Sequence, residues 1–193
     1  MKKVATFGEI LLRLATPNKE RILQAKNFDA DYGGGEYNVA VSLSQFGVPT
    51  KFVTALPDNA VGDSAMFRIK GFGIDSSSIV RQGDRMGLYF LEHGAAMRAS
   101  KVVYDRARSS ISEIKLGDID WEKAFNGIDW FHFTGITPAL SSSAADVTSE
   151  AASAAKDLGL TVSADMNYRK NLWSPEKAQS IMKPLMKYVD IAI

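Results

Sequence analysis

"DYGGGEYNVAVSLSQFG", residues 31–47, places three glycines in a row directly before a helical pattern. Glycine packs no side chain and loses more backbone freedom on folding than any other residue. A run of it at a helix entrance therefore serves either a tight turn with close packing or a ligand lying against bare backbone. Residues 36–46 read as the helix, with Val39, Leu43 and Phe46 at helical spacing, Glu36 in the first turn and Gly47 at the stop. It is not a dinucleotide fingerprint, because Asn38 stands where that pattern needs its last glycine, and no GxxxxGK phosphate loop occurs anywhere.

Working outward, residues 3–9 (KVATFGE) and 51–57 (KFVTALP) read as short apolar strands flanking that helix. Residues 58–73 give a second helix and residues 129–135 (DWFHFTG) a third core strand. Ala144, Thr148, Ala151, Ala155 and Leu158 then mark a helix of small residues packed closely on a sheet, stopping at Gly159. Residues 160–165 are the next strand. Ser174, Pro175 and Glu176 open a helix running to Met186, and residues 188–193 form a last, buried strand. Strands alternating with helices predict an α/β fold with a mostly parallel sheet covered on both faces. Two segments, about 11–32 and 86–106, break the rhythm and predict a small antiparallel β lid within one domain spanning residues 1–193. In the second, Val102, Tyr104 and Arg106 share a face because strand side chains alternate.

Composition narrows the function. The 193 residues are 46% hydrophobic and 23% charged, ordinary for a globular protein with a substantial core. The 23 basic and 22 acidic residues nearly balance and the basic ones are scattered, so nucleic acid is not an expected partner. No apolar run reaches the ~18 residues of a membrane span, and Glu9 and Arg13 interrupt the apolar start that superficially resembles a signal peptide. The absence of cysteine excludes disulfides and thiolate metal sites and fits the cytoplasm. His93 and His132 lie far apart without ligand spacing, and His132, in an apolar strand, reads as a satisfied core histidine. Asp58 and Asp63, at a helix N-terminus, need no metal to explain them.

The segments GEILLRL, GGGEYNVAVSLSQFG, FVTALPDNAVGD, GLYFLE, VVYDRARSS, FTGITPAL and DMNYRKNLWSP occur in this order. Together they resemble the N-terminal portion of ribokinase-like carbohydrate kinases, most of all the branch acting on 2-keto-3-deoxygluconate. The resemblance covers essentially the whole chain. It implies a longer fold, here truncated, whose second part carries the ATP site and a Gly-Ala-Gly-Asp motif that is absent here.

The same resemblance implies in-line phosphoryl transfer from ATP, with Mg2+, to the terminal hydroxyl of a sugar acid. No catalytic residue is expected within residues 1–193, since the family's catalytic aspartate belongs to the missing motif, and this chain alone is expected to be inactive. It carries the substrate side: Gly33 and Gly34 admit a sugar hydroxyl to the backbone, Asn38 donates and accepts, Tyr89 and Tyr104 form an aromatic wall, Ile136 lines the pocket. Arg106 and Arg169 hold the carboxylate. Without the resemblance, the tyrosines read as ordinary strand residues, Arg106 and Arg108 as surface charge, and Arg169 as a partner for Asp165 or a turn cap. Homodimerisation through the lid, with Leu88 and Phe90 exposed, is expected. A fructokinase, or a carbohydrate-binding module without phosphoryl transfer, are the competing readings.

Overall fold

The computed structural model describes residues 2–193. Five parallel strands form the central sheet: β1 (Val4–Phe7), β4 (Thr50–Val53), β9 (Trp130–Thr134), β10 (Thr161–Asp165) and β11 (Ile191–Ala192), in the order β11-β10-β9-β1-β4. Between them, β2 (Leu11–Ala15), β3 (Asp29–Gly33), β7 (Leu88–Glu92) and β8 (Lys101–Asp105) form a separate four-stranded lid, and β5 (Ala55–Leu56) pairs with β6 (Val80–Arg81).

Helices cover both faces of the sheet, because its apolar strands have to be buried on both. On one side lie α1 (Gly35–Gln45) and α2 (Ala60–Gly71), around Tyr37, Ala40, Phe52, Ala65 and Ile69. On the other lie α3 (Trp121–Phe125), α5 (Ser142–Asp157) and α6 (Pro175–Leu185), around Phe7, Trp121, Phe131, Phe133 and the alanine stripe of α5. A single turn, α4 (Thr137–Leu140), links β9 to α5. Side-chain caps start α2 and α6: Asn59 accepts from the N–H groups of Val61 and Gly62, and Ser174, the cap expected from the sequence, from that of Lys177.

Several expectations need correction. The buried face of α1 is Glu36, Tyr37 and Ala40, while Phe46 is exposed. Its apolar residues lie nearly all round the helix, so spacing alone does not select the inward face. Leu158 is likewise exposed beyond the end of α5. The strand read at 51–57 is two, β4 in the central sheet and β5 in the small one. The last strand is two residues long and exposed, because it lies at the sheet's edge. The lid is mixed: β2–β3 and β7–β8 are antiparallel, but the central pair β2–β7 runs parallel. A parallel pair needs a long crossover, and the α1–β4–α2 portion of the main domain, between β2 and β7, supplies it.

Candidate substrate site at the sheet's carboxyl edge

In a parallel α/β sheet the loops beyond the strands' carboxyl ends are the usual ligand site, and the lid's connections to the main domain fall there. Across the lid, Arg13 on β2 stands opposite Asp31 on β3 and Tyr89 on β7, and Tyr89 stands opposite Tyr104 on β8. Paired residues project to one side of a sheet, so all four share a face. The Tyr89 and Tyr104 rings lie 5.6 Å apart, and the Arg106 guanidinium lies 5.3 Å from the centre of the Tyr104 ring. Gly33 adjoins the same group, since a Cβ on it would fall 3.1 Å from the Tyr89 hydroxyl. Gly33, Tyr89, Tyr104 and Arg106 are thus together.

The three glycines have separate surroundings. A Cβ on Gly34 would fall 2.0 Å from the carbonyl oxygen of Glu9, so this glycine is needed for close approach of two backbones. A Cβ on Gly35 would meet only ordinary contacts, 3.4 Å from Thr134 and 3.8 Å from Asn167. Gly35 therefore sets α1 beside the ends of both β9 and β10. One turn into that helix Asn38 is exposed, its backbone N–H bonded to the Gly34 carbonyl at 2.9 Å.

Glu36 fixes this helix start. It is fully buried, and its Oε1 accepts from the Thr134 N–H at 3.1 Å and from the Thr134 and Thr137 hydroxyls, both at 2.8 Å. Its Oε2 is buried without a partner. Burial pushes this carboxyl above its ordinary pKa, against the pull of its own backbone N–H and of the two threonines. The Thr134 hydroxyl also accepts from the Ile136 N–H at 3.1 Å, which places Ile136 at the mouth of the turn into α4.

Glu9, 2% exposed, sits at the lid's base. Its carboxylate is ion-paired with Arg106 Nη2 and accepts from the Ser109 hydroxyl at 3.0 Å. Burial raises its pKa, while the Arg106 charge and these hydrogen bonds pull it back. Arg106 is 13% exposed and its Nε is buried with no partner. Arg13 bonds Asp31 at 2.9 Å, a carboxylate it shares with Arg68 of α2, and its Nε also lacks a partner.

Arg169 lies in the loop after β10. It is exposed and makes no ion pair among the described residues; Asp165, its expected partner, instead accepts from the Asn167 N–H at 2.9 Å. Asp58 and Asp63 both pair with Arg81, at 3.3 and 2.8 Å. His132 Nδ1 is bonded to the Ser163 hydroxyl at 2.9 Å, while its buried Nε2 has no partner.

The model of the pfkB family of carbohydrate kinases matches residues 1–193. The chain belongs to that family. It is 33% identical over 193 residues to a 2-dehydro-3-deoxygalactonokinase of Haloferax volcanii, covering 99% of this chain and 60% of that protein. A 2-dehydro-3-deoxygluconokinase of Bacillus subtilis is 26% identical over 91% of this chain and 54% of its own length. Among solved structures, the 2-dehydro-3-deoxygluconokinase of Thermotoga maritima superposes with a TM-score of 0.97 at 51% identity, over 100% of this chain and 59% of that one. The pfkB chain described here therefore spans a little over half the length of these relatives, and the ribokinase-like α/β architecture is common to all of it.

Two side chains of this candidate site escape a reading of the sequence, and for a third only its partner does. Glu36 looks like a first-turn carboxylate facing solvent; the signal that it is buried is the pair of threonines in FTGIT, spaced to donate to a common acceptor. Arg13 lies hidden in an apolar strand, although its alternation with Leu12 and Leu14 assigns it to the lid's polar face. Glu9, at the end of the first strand, stands where the edge of a pocket is expected, but its partner Arg106 lies 97 positions away in the chain.

Proposed function

We propose that this chain carries the substrate-binding part of an ATP-dependent kinase for 2-keto-3-deoxygluconate or a closely related keto-deoxy sugar acid. The observation that carries the reading is Arg106: a nearly buried guanidinium with an unpartnered Nε, backed by Tyr104, on the lid face beside Tyr89 and the glycine run. A cation with free, directed donors suits a carboxylate, and the names of the similar proteins point the same way. Gly33, Gly34 and Asn38 are assigned to sugar hydroxyls, Ile136 to the pocket wall and Arg169 to the open side of the carboxylate.

The reaction is in-line transfer of the ATP γ-phosphoryl to the terminal sugar hydroxyl. Magnesium, where bound with ATP, supplies positive charge to the phosphates. The residues here do not fit a site for it, since no group of three or more His, Asp or Glu among those described could hold a metal. What this chain contributes is positioning: the lid and the strand-end loops hold the sugar acid and exclude water. We further assign it to the cytoplasm, and propose assembly of two copies through the lid's other face. There Leu12 pairs with Leu88, and Leu14 with Phe90, which in turn faces Val103. Leu88 and Phe90 are half-buried, not exposed as the sequence reading had them, and Phe90 packs edge-on against Phe28.

Calorimetric titration with 2-keto-3-deoxygluconate, its galactonate epimer, gluconate and fructose tests the reading. Selective binding of the keto-deoxy acids supports it; binding of fructose alone replaces it with a fructokinase.

A further inference from the structure

We propose that Glu9 is a positioning residue for Arg106, fixing its guanidinium so that the remaining donors meet the carboxylate of the sugar acid, an inference that rests on the substrate reading above. Glu9 is confined on every side. Its carbonyl oxygen presses on Gly34, its Oε1 would lie 2.6 Å from any Cβ on Gly87, and the Ser109 hydroxyl holds that same oxygen at 3.0 Å. These contacts hold Oε1 in place and leave Oε2 turned to Arg106 Nη2.

A guanidinium carries five N–H donors in a rigid plane. Tying down one nitrogen orients all the others. Arg106 Nε is buried and without an acceptor among the described residues; an unmade hydrogen bond in a dry place is costly, so a ligand whose acceptor reaches that nitrogen gains from it.

The charges at the lid's base make direction decisive. Arg85 pairs with Asp105 at 2.9 Å and also acts on Glu9, so Glu9 and Asp105 balance Arg85 and Arg106. An incoming carboxylate is recognised by where the free N–H groups point. The same glutamate touches Gly34 through its backbone and Arg106 through its side chain, and thereby ties the hydroxyl-binding side of the pocket to its acid-binding side.

The test compares wild type, Glu9→Gln, Glu9→Asp and Ser109→Ala in the full chain, with 2-keto-3-deoxygluconate and fructose as titrants and nitrogen-resolved NMR of the Arg106 guanidinium. Distinct Arg106 Nη signals in wild type that merge in Glu9→Gln, with at least about tenfold weaker acid binding and unchanged affinity for fructose, are expected. Ser109→Ala, which keeps the ion pair, is expected to lose acid affinity several-fold, and Glu9→Asp to recover part of what Glu9→Gln loses. If the Arg106 signals are already averaged in wild type, or stay distinct in Glu9→Gln, Glu9 does not position Arg106, whatever the substrate. A rise in acid affinity in Glu9→Gln would also overturn the proposal, since Glu9 would then be a competitor for Arg106. Preference of wild type for fructose would overturn the substrate reading instead, while the NMR signals still decide the role of Glu9.

Discussion

The carboxyl of Glu36 lies directly against the backbone of Gly8: a Cβ added to Gly8 would fall 2.1 Å from Glu36 Cδ. Strand β1 and helix α1 meet there with no room for a methyl group, and the carboxyl is itself held by Thr134 and Thr137. Gly8→Ala is therefore expected to destabilise the fold by about 3 kcal/mol or more, the upper end for overpacking a site that cannot yield. Urea unfolding checks it; a loss below about 1 kcal/mol would mean that Glu36 can move aside.

Glu36 and Glu9 both have pKa values raised by burial. For a carboxyl raised in the folded state, the native protein binds more protons than the unfolded chain between the two pKa values. Stability is then full below the ordinary carboxylate range and falls as pH rises toward the folded pKa. Glu36→Gln removes one such group. As pH rises above the ordinary carboxylate range its unfolding free energy should fall less steeply than that of wild type, and parallel slopes from denaturant melts would contradict this.

The glycine run separates into distinct requirements. Gly34→Ala drives a Cβ against the Glu9 carbonyl, and should cost at least about 2–3 kcal/mol and disorganise the helix entrance. Gly35→Ala meets only ordinary contacts in the first turn of α1. It should change stability by less than about 0.5 kcal/mol, so any fall in sugar affinity in that variant would report a ligand against the backbone. Paired thermal melts and sugar titrations distinguish the two.

Arg169 is exposed and unpaired among the described residues, so its role shows only when ligand is present. Arg169→Ala should leave stability within about 0.5 kcal/mol and weaken acid binding by about 1 kcal/mol, the scale of an exposed ion pair. The corresponding loss for Arg106→Ala is larger. It strands the buried Glu9 carboxylate, and about 3–5 kcal/mol of stability should disappear.

The alternation of strands and helices was legible because apolar runs, the Ser174 cap and the glycine stops each act locally. So was the common face of Val102, Tyr104 and Arg106. The inward face of α1 was not. It is chosen by Thr134 and Thr137 receiving Glu36, a relationship across about a hundred residues that no local period records. The parallel pairing inside the lid was hidden for the same reason, since strand direction is settled by the crossover between β2 and β7. Of the candidate ligand residues named through family likeness, the structure brings Gly33, Tyr89, Tyr104 and Arg106 together, while the pairings of Glu9 and Arg13 depend on partners that only the folded chain brings near.

The parallel β2–β7 seam joins two segments between which α1, β4 and α2 must already be in place. Closing so long a loop is entropically costly before its contacts form. The lid should accordingly be the late-folding part of the chain and the first to open. Its amide protons, those of Leu88 to Glu92 above all, should exchange with solvent through local openings well below the free energy of global unfolding, while those of β1 and β9 exchange only when the whole sheet comes apart.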